Sequence, residues 1–321
     1  MARCFVTRQL PGRALARLEA VHDVEVWPRR LPPAPSELAR HAATVEGLLT
    51  MLTDRLDAKL IAGAARLKAI SNYAVGCDNI DLKAASARGI PVGHTPDVLT
   101  EATADLAFAL LLAAARKLPE AVESVRNGDW RTWEPGMHLG HEVHGATLGI
   151  VGLGRIGRAV ARRAEGFEMT VLHTGQAGGS LDHLLAQSDF VSLHCPLTPA
   201  TRHLLDSTAL ARMRPTAILV NTARGAIVDQ DALAQALHEG RIAGAALDVS
   251  DPEPLPGAHP LMRAPNLILT PHIGSATRAA RERMAELAVE NLLAGLDGRP
   301  MPHEANARHR ADAPVQADPV H

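Results

Sequence analysis

Gly152-Leu153-Gly154-Arg155-Ile156-Gly157 sets three glycines in the spacing that turns a chain tightly and brings backbone amides up to a pyrophosphate. The spacing alone is a weak signal. Here it follows an apolar strand, Thr147 to Val151, and opens a helix from Arg158 to Glu165, so the positive end of a helix would face the phosphates. Gly152, Gly154, Arg155, Ile156 and Gly157 are therefore expected to hold a dinucleotide.

In open parallel sheets ligands gather at the carboxyl ends of the strands. The predicted ends carry Gly152, His173-Thr174, His194-Cys195-Pro196, Asn221-Thr222-Ala223-Arg224, Asp248 and Pro271-His272, with Glu253 just past Asp248 in a proline-rich loop. An arginine, an aspartate and a histidine on one rim suit an anionic substrate beside a nicotinamide. Each also has a plainer reading. A lone histidine after Pro271 is commonly a cap or a surface residue, and Asp248 could cap a turn instead of facing the nicotinamide. Cys195 ends an apolar strand with no base paired to it, so it is read as a wall of the adenine pocket and not as a nucleophile. His138, His141, Glu142 and His144 lack the HExxH spacing and lie in an irregular segment, so no metal site is expected there.

The elements that must position these residues alternate. Short apolar strands recur at Cys4 to Thr7, Val24 to Trp27, Gly47 to Met51, Ala69 to Ser71 and Pro91 to Gly93. Helical patterns lie between them: Arg13 to Ala20, one after a Ser36 cap, Asp57 to Ala65, and Asp81 to Arg88. A long apolar helix, Thr100 to Leu118, reads as a bridge to a second α/β domain. An irregular arm follows, Gly128 to Gly145, in which Trp130 and Trp133 are expected to pack. Strands are then predicted at Thr147 to Val151, Met169 to His173, Phe190 to Cys195, Ala217 to Thr222, Ala245 to Val249 and Leu267 to Thr270. A last helix, Ala276 to Leu296, returns the chain to the first domain. The polar, aperiodic tail from about His303 is expected to be disordered.

The 321 residues are enough for two domains, and a net charge of −2 with 46% hydrophobic residues excludes a basic nucleic-acid surface and a disordered chain. With only 2% aromatics there is little material for base-stacking platforms. Cys4, Cys77 and Cys195 match neither a disulfide framework nor a zinc spacing, which fits a reducing cytoplasm. Arg3, Arg8 and Arg13 have no apolar block between them, and the longest apolar run, Leu106 to Ala115, is too short for a bilayer. The chain is read as unexported, without a membrane or nucleic-acid partner.

Several motifs in order give the chain a specific resemblance: Asn72 to Gly76, Thr95 to Thr100, the glycine turn, Val220 to Gly225, Leu247 to Pro256, Pro271 to Ala276, and Asn291 to Leu296 followed by Pro300 to Pro302. Together they resemble the D-isomer-specific 2-hydroxyacid dehydrogenase family, most of all its glyoxylate/hydroxypyruvate reductases, over Cys4 to about Glu304. The resemblance implies a Rossmann-type, doubly wound parallel NAD(P)-binding domain, 99–275, inserted in a smaller flavodoxin-like α/β substrate domain, 1–98 and 276–321. It implies hydride transfer from a nicotinamide to a 2-oxo acid, with His272 as general acid, a task for which imidazole is suited. Glu253 would hold the other ring nitrogen, and Arg224 would grip the substrate carboxylate with its two-pronged guanidinium. Val75 and Gly76 would add backbone amides from the other domain, so that substrate lies in a cleft whose closure excludes water. Thr174, Cys195, Pro196, Thr222, Ala223, Asp248 and Gly274 would line the cofactor. The resemblance also implies a homodimer through the arm at 100–145.

One stretch departs from that family pattern. The tip of the strand ending at His173 should carry an acid for NAD or a base for the NADP phosphate, but His173-Thr174-Gly175-Gln176-Ala177-Gly178-Gly179 has neither. Residues 175–189 have room for one helix, Leu181 to Gln187, where the family has a helix, a strand and a second helix, so one strand is expected to be missing. Without a carboxylate to repel a 2′-phosphate, the expectation leans to NADP over NAD. Two further readings stand beside 2-oxo acid reduction. One is a dehydrogenase for another 2-hydroxy acid or a small anion such as phosphite or formate; the other is a non-catalytic dinucleotide-sensing regulator.

Overall fold

The structure, a computed structural model, describes residues 1–175 and 178–307. The chain folds as two units, Met1–Leu99 with Thr277–His321, and Thr100–Ala276. The first begins with β1 (Arg3–Val6), α1 (Ala14–Glu19), β2 (Asp23–Val26), α2 (Pro35–Ala42), β3 (Gly47–Thr50), α3 (Ala58–Gly63), β4 (Ala69–Asn72), α4 (Leu82–Ala87) and β5 (Val92–Gly93). Its strands are parallel in the order β2-β1-β3-β4-β5. Every residue of β3 and β4 is buried, because crossover helices cover both faces of a parallel sheet; the polar ones, Thr50, Ser71 and Asn72, are hydrogen-bonded. Ser36 does not cap α2. Pro35 takes the first helical position, and the Glu37 carboxylate reaches back 3.0 Å to the Ala34 N–H, so the cap comes from inside the helix.

The second unit runs α5 (Thr100–Ala115), α6 (Leu118–Arg126), β6 (Thr147–Val151), α7 (Arg155–Glu165), β7 (Thr170–Thr174), α8 (Leu181–Gln187), β8 (Phe190–Leu193), α9 (Ser207–Arg212), β9 (Ile218–Asn221), α10 (Gln230–His238), β10 (Gly244–Leu247) and β11 (Leu267–Leu269). Its sheet is parallel, ordered β11-β10-β9-β8-β6-β7. From β6 the chain steps outward to β7, then passes back over β6 to β8, so the winding reverses between β6 and β8. Such a switch point opens a crevice at the carboxyl ends. Strand β7 is the edge among the described residues, and α8 is the one helix between it and β8. Gln176 and Ala177, part of that connection, lie outside the described residues.

The predicted bridge helix belongs to the second unit. It stops at Ala115, packs on α7, β9 and β10 through Ala104, Ala107, Phe108 and Leu111, and is separated from α6 by Lys117 in the left-handed region at φ 50°. Trp130 and Trp133 do not pack the arm: they are 56% and 75% exposed. No helix of the described chain is long and apolar enough to cross a membrane.

The last helix, α11 (Arg278–Leu296), is capped by Thr277 Oγ1, which accepts the Ala280 N–H at 3.1 Å, and it packs on α1, β3 and β4 of the first unit. The chain beyond it is ordered further than its composition suggests. His303 N–H donates to Asn291 Oδ1 at 3.0 Å, and fully buried Asn306 accepts the Val92 N–H at 2.9 Å while donating to Ser86 Oγ and the Ile90 carbonyl. Those bonds satisfy β5, whose backbone groups would otherwise stay unpaired. The rest of the expected disordered tail, 308–321, lies outside the described residues.

Candidate active site

Each glycine of the turn has its own constraint. Gly152 sits at φ 96°, and a Cβ there would come within 2.7 Å of the Cys195 backbone nitrogen, so the ends of β6 and β8 approach as only glycine allows. A Cβ at Gly157 would overlap the Gly152 carbonyl oxygen, which packs helix α7 onto its strand. Gly154 differs. It is the N-cap of α7, no side chain caps it, and a Cβ there would meet nothing within 4 Å. The space a side chain would fill is open directly over the first turn of an 11-residue helix, where Arg155, Ile156 and Gly157 lie. That cradle fits a pyrophosphate. At the end of β9, Thr222 Oγ1 is buried without a partner among the described residues, a second sign of a polar occupant.

Two of the remaining predicted cofactor residues, Thr174 and Cys195, lie against this turn. Thr174 ends β7, and its carbonyl accepts the Gly152 N–H at 3.2 Å. Cys195 follows β8 with its thiol pushed up by burial, which suits a wall better than a nucleophile. Beside it, His194 lies 2.8 Å from Ser192 Oγ through Nε2, and burial pulls its ring down to about 4.

His272 stands in the left-handed region at φ 53°, one residue past a proline. Its Nδ1 is 2.8 Å from Glu253 Oε2, and both side chains are about a quarter exposed, 26% and 27%. A carboxylate can only accept, so Nδ1 carries the hydrogen and Nε2 is turned to the open side. Glu253 is itself held, since its Oε1 accepts the Ser250 N–H at 3.1 Å.

Asp248 and Gly274, both expected to face the cofactor, bond to each other. The buried Asp248 carboxylate accepts Gly274 N–H at 2.7 Å, Ile273 N–H at 2.8 Å and Thr270 Oγ1–H at 2.6 Å, while its carbonyl accepts His272 N–H at 2.9 Å. The residue is the hub of the loop that presents the imidazole. Three donors on one desolvated carboxylate also supply what an uncommon backbone conformation at His272 requires.

Arg224 follows β9. Asn221, fully buried, donates from Nδ2 to the Arg224 carbonyl at 2.8 Å and accepts the Ala223 N–H at 3.0 Å, so one side chain folds the turn that carries the guanidinium. A Cβ at Gly225 would overlap the Ser250 carbonyl. Glycine there lets the Arg224 segment press against the loop bearing Glu253.

In the first unit the Val75-Gly76 loop is held by its carbonyls. Thr95 N–H donates to Ala74 O at 2.9 Å, His94 Nδ1 to Val75 O at 2.9 Å, and Asn72 Nδ2 to Gly76 O at 2.9 Å. The Val75 and Gly76 N–H groups have no partner among the described residues. Asn72, Asn221, Thr270 and Gln230 escape sequence reasoning as positioning residues: the first two lie in quoted motifs, but nothing local shows which backbone groups they reach. Among the described residues no group of three His, Cys, Asp or Glu could hold a metal, and His141, Glu142 and His144 line a shallow surface hollow with Asp189 and Thr216.

A dinucleotide turn at the switch point of a parallel sheet, with an imidazole–carboxylate pair and an arginine on the same rim, defines a nicotinamide-dependent oxidoreductase. The profile of "D-isomer specific 2-hydroxyacid dehydrogenase, NAD binding domain" matches residues 108–274. The glyoxylate reductase of Korarchaeum cryptofilum is 48% identical, over 95% of this chain and 96% of its own. The structure of the TT0316 protein from Thermus thermophilus superposes with a TM-score of 0.89 at 52% identity, covering 94% of this chain and 99% of that one. An NADPH-dependent glyoxylate/hydroxypyruvate reductase from Sinorhizobium meliloti, solved with NADP and malonate, superposes at 0.82 and 32% identity over 94% and 96%. The chain belongs to the D-isomer-specific 2-hydroxyacid dehydrogenase family. It is an NAD(P)-dependent enzyme that reduces small 2-oxo acids.

Proposed function

We propose that the enzyme reduces glyoxylate to glycolate and hydroxypyruvate to D-glycerate, with His272 as the proton donor. The observation that carries this reading is the 2.8 Å contact between His272 Nδ1 and Glu253 Oε2, which leaves Nε2 to serve the substrate. A dinucleotide whose pyrophosphate was held by the turn at Gly152 to Gly157 would supply the hydride from its nicotinamide. The chain's own residues do the rest. Nε2–H donates to the 2-oxo oxygen and gives up its proton as charge develops there. Arg224 grips the carboxylate and polarises the carbonyl through paired N–H groups. The Val75 and Gly76 N–H groups would serve carboxylate recognition, as the family resemblance implies. Nicotinamide absorbance with each 2-oxo acid, for wild type and His272→Ala, tests the assignment.

NADPH is the preferred cofactor in this reading. Thr174 offers a hydroxyl at the end of β7, and the sequence from His173 to Gly179 holds no acid to repel a 2′-phosphate; the Sinorhizobium meliloti relative was solved with NADP. The ratio of kcat/KM for NADPH and NADH decides it.

The protein works as a homodimer through the arm. Leu118, Val122 and Val125 form an exposed apolar stripe at helical spacing on α6, and Trp130, Trp133 and Leu139 in the following arm are exposed too, apolar surface that isolated monomers tend to avoid. Sedimentation of wild type against Val122→Asp tests that surface. A reducing cytoplasm suits the three cysteines, none of which forms a disulfide.

A further inference from the structure

We infer that Gln230 is a positioning residue for the proton-donating pair, fixing the loop that carries Glu253 and through it the hydrogen of His272. The inference rests on the reductase reading of the site. The loop from Ser250 to Pro254 contains two prolines, which donate no hydrogen bond, so it has few backbone bonds with which to define itself. Gln230 supplies them. Its Oε1 accepts the Asp251 N–H at 2.9 Å and its Nε2 donates to the Asp251 carbonyl at 2.5 Å, gripping both sides of one residue that stands two positions before Glu253. Among the described residues the other side chain bonded to Asp251 is Arg202, at 3.4 Å and half exposed, too loose to define a loop.

The grip has a rigid base. Gln230 is buried at the first position of α10, whose N-cap Asp229 accepts the Ala232 N–H at 3.0 Å. Between Arg224 and Gln230 the backbone is pinned from the side. His203 N–H donates to Ala226 O at 2.8 Å, Leu205 N–H to Ile227 O at 3.1 Å, and Asp229 N–H to Leu205 O at 3.1 Å. With Gly225 against the Ser250 carbonyl, a closed circuit results, Gly225, the pinned segment, Gln230, Asp251 and Ser250, from which Arg224 extends on one side and Glu253 with His272 on the other. Residues far apart in sequence thereby share one frame, so that the carboxylate grip and the proton donor keep their spacing.

Gln230→Met retains the volume and loses both bonds; Gln230→Glu retains the acceptor for the Asp251 N–H. The direct readout is the ring-nitrogen resonances of His272, assigned by their loss in His272→Asn, which report the tautomer of the neutral ring whether or not the protein turns over substrate. Wild type should show the Nδ1–H form. Gln230→Met should lose most of that form in favour of Nε2–H, with Gln230→Glu between. In parallel, kcat for glyoxylate should fall about tenfold while the dissociation constant of NADPH is unchanged. In a Glu253→Ala background Gln230→Met should cost kcat almost nothing more, because the two act through one contact. A lower Tm with the tautomer unchanged, or a kcat loss that persists in full on top of Glu253→Ala, overturns the inference. Should Gln230→Met fail to fold, an unshifted tautomer in Gln230→Glu does the same. Absence of 2-oxo acid reduction by wild type would sink the reductase reading and leave the tautomer result standing by itself.

Discussion

Glu253 Oε2 and His272 Nδ1 meet at 2.8 Å across 19 residues of sequence, and the short segment after β10 braces both of them. Glu253 is held by the Ser250 amide, and His272 by the donors gathered on Asp248. The pair thus joins the loops at the ends of β10 and β11, both braced from Asp248 and Ser250 just past β10. Its orientation fixes which ring nitrogen is available for chemistry.

Removing the imidazole should remove the chemistry and little else. His272→Ala should lower kcat by about 10²–10⁴-fold, the span of general acid catalysis, with the NADPH dissociation constant within a factor of about two of wild type. Fluorescence titration of NADPH beside steady-state kinetics measures both.

Asp248→Asn should damage stability and activity together. An amide nitrogen in place of one oxygen would face an N–H or O–H donor from Thr270, Ile273 or Gly274. The loss should be about 2–4 kcal/mol in urea unfolding, since a charge-assisted bond is replaced by a buried clash of donors. kcat should fall with it as His272 loses its brace.

The two first glycines of the turn should separate folding from cofactor binding. Gly152→Ala forces a Cβ to 2.7 Å from the Cys195 nitrogen at φ 96°, so it should cost at least about 2 kcal/mol of stability. Gly154→Ala meets nothing within 4 Å and should unfold like wild type. Its methyl instead occupies the cradle, and NADPH affinity should fall by about tenfold or more. Equal thermal curves with unequal Kd values are the outcome to look for.

His194 predicts an acid limb of stability. The unfolded ring takes its proton near the ordinary 6.5 and the folded ring only at about 4, so the unfolded state binds more protons between those values. Stability conferred by the neutral ring is complete above about pH 6.5 and is lost progressively as pH falls toward about 4. Urea unfolding of wild type and His194→Asn over that range should converge toward the acid end, the variant lacking this part of the slope.

Much of the site could be read from local sequence. Gly152 to Gly157, Arg224 and His272 each stand at the end of an apolar run, and in a parallel sheet that position alone brings them to one rim. That one helix, Leu181–Gln187, links β7 to β8 among the described residues was legible from chain length. What was not legible depends on contacts between distant segments. Asp248 reaches Gly274 across 26 residues, and Gln230 reaches Asp251 across 21, with no periodicity to announce either. Asn306 looked like part of a polar tail because burial of one asparagine against β5 leaves no mark on composition. Trp130 and Trp133 looked like packing residues because residue type does not say whose surface they pack against.

The central claim is that His272, braced by Glu253, donates the proton in NAD(P)H-dependent reduction of a 2-oxo acid. The most direct measurement is loss of nicotinamide absorbance with glyoxylate and with hydroxypyruvate, using NADPH and NADH, for wild type and His272→Asn side by side. Wild type should oxidise the nicotinamide only when a 2-oxo acid is present, faster with NADPH, and His272→Asn should bind NADPH normally while turning over at least about a hundredfold more slowly. Turnover in His272→Asn at the wild-type rate would contradict the account.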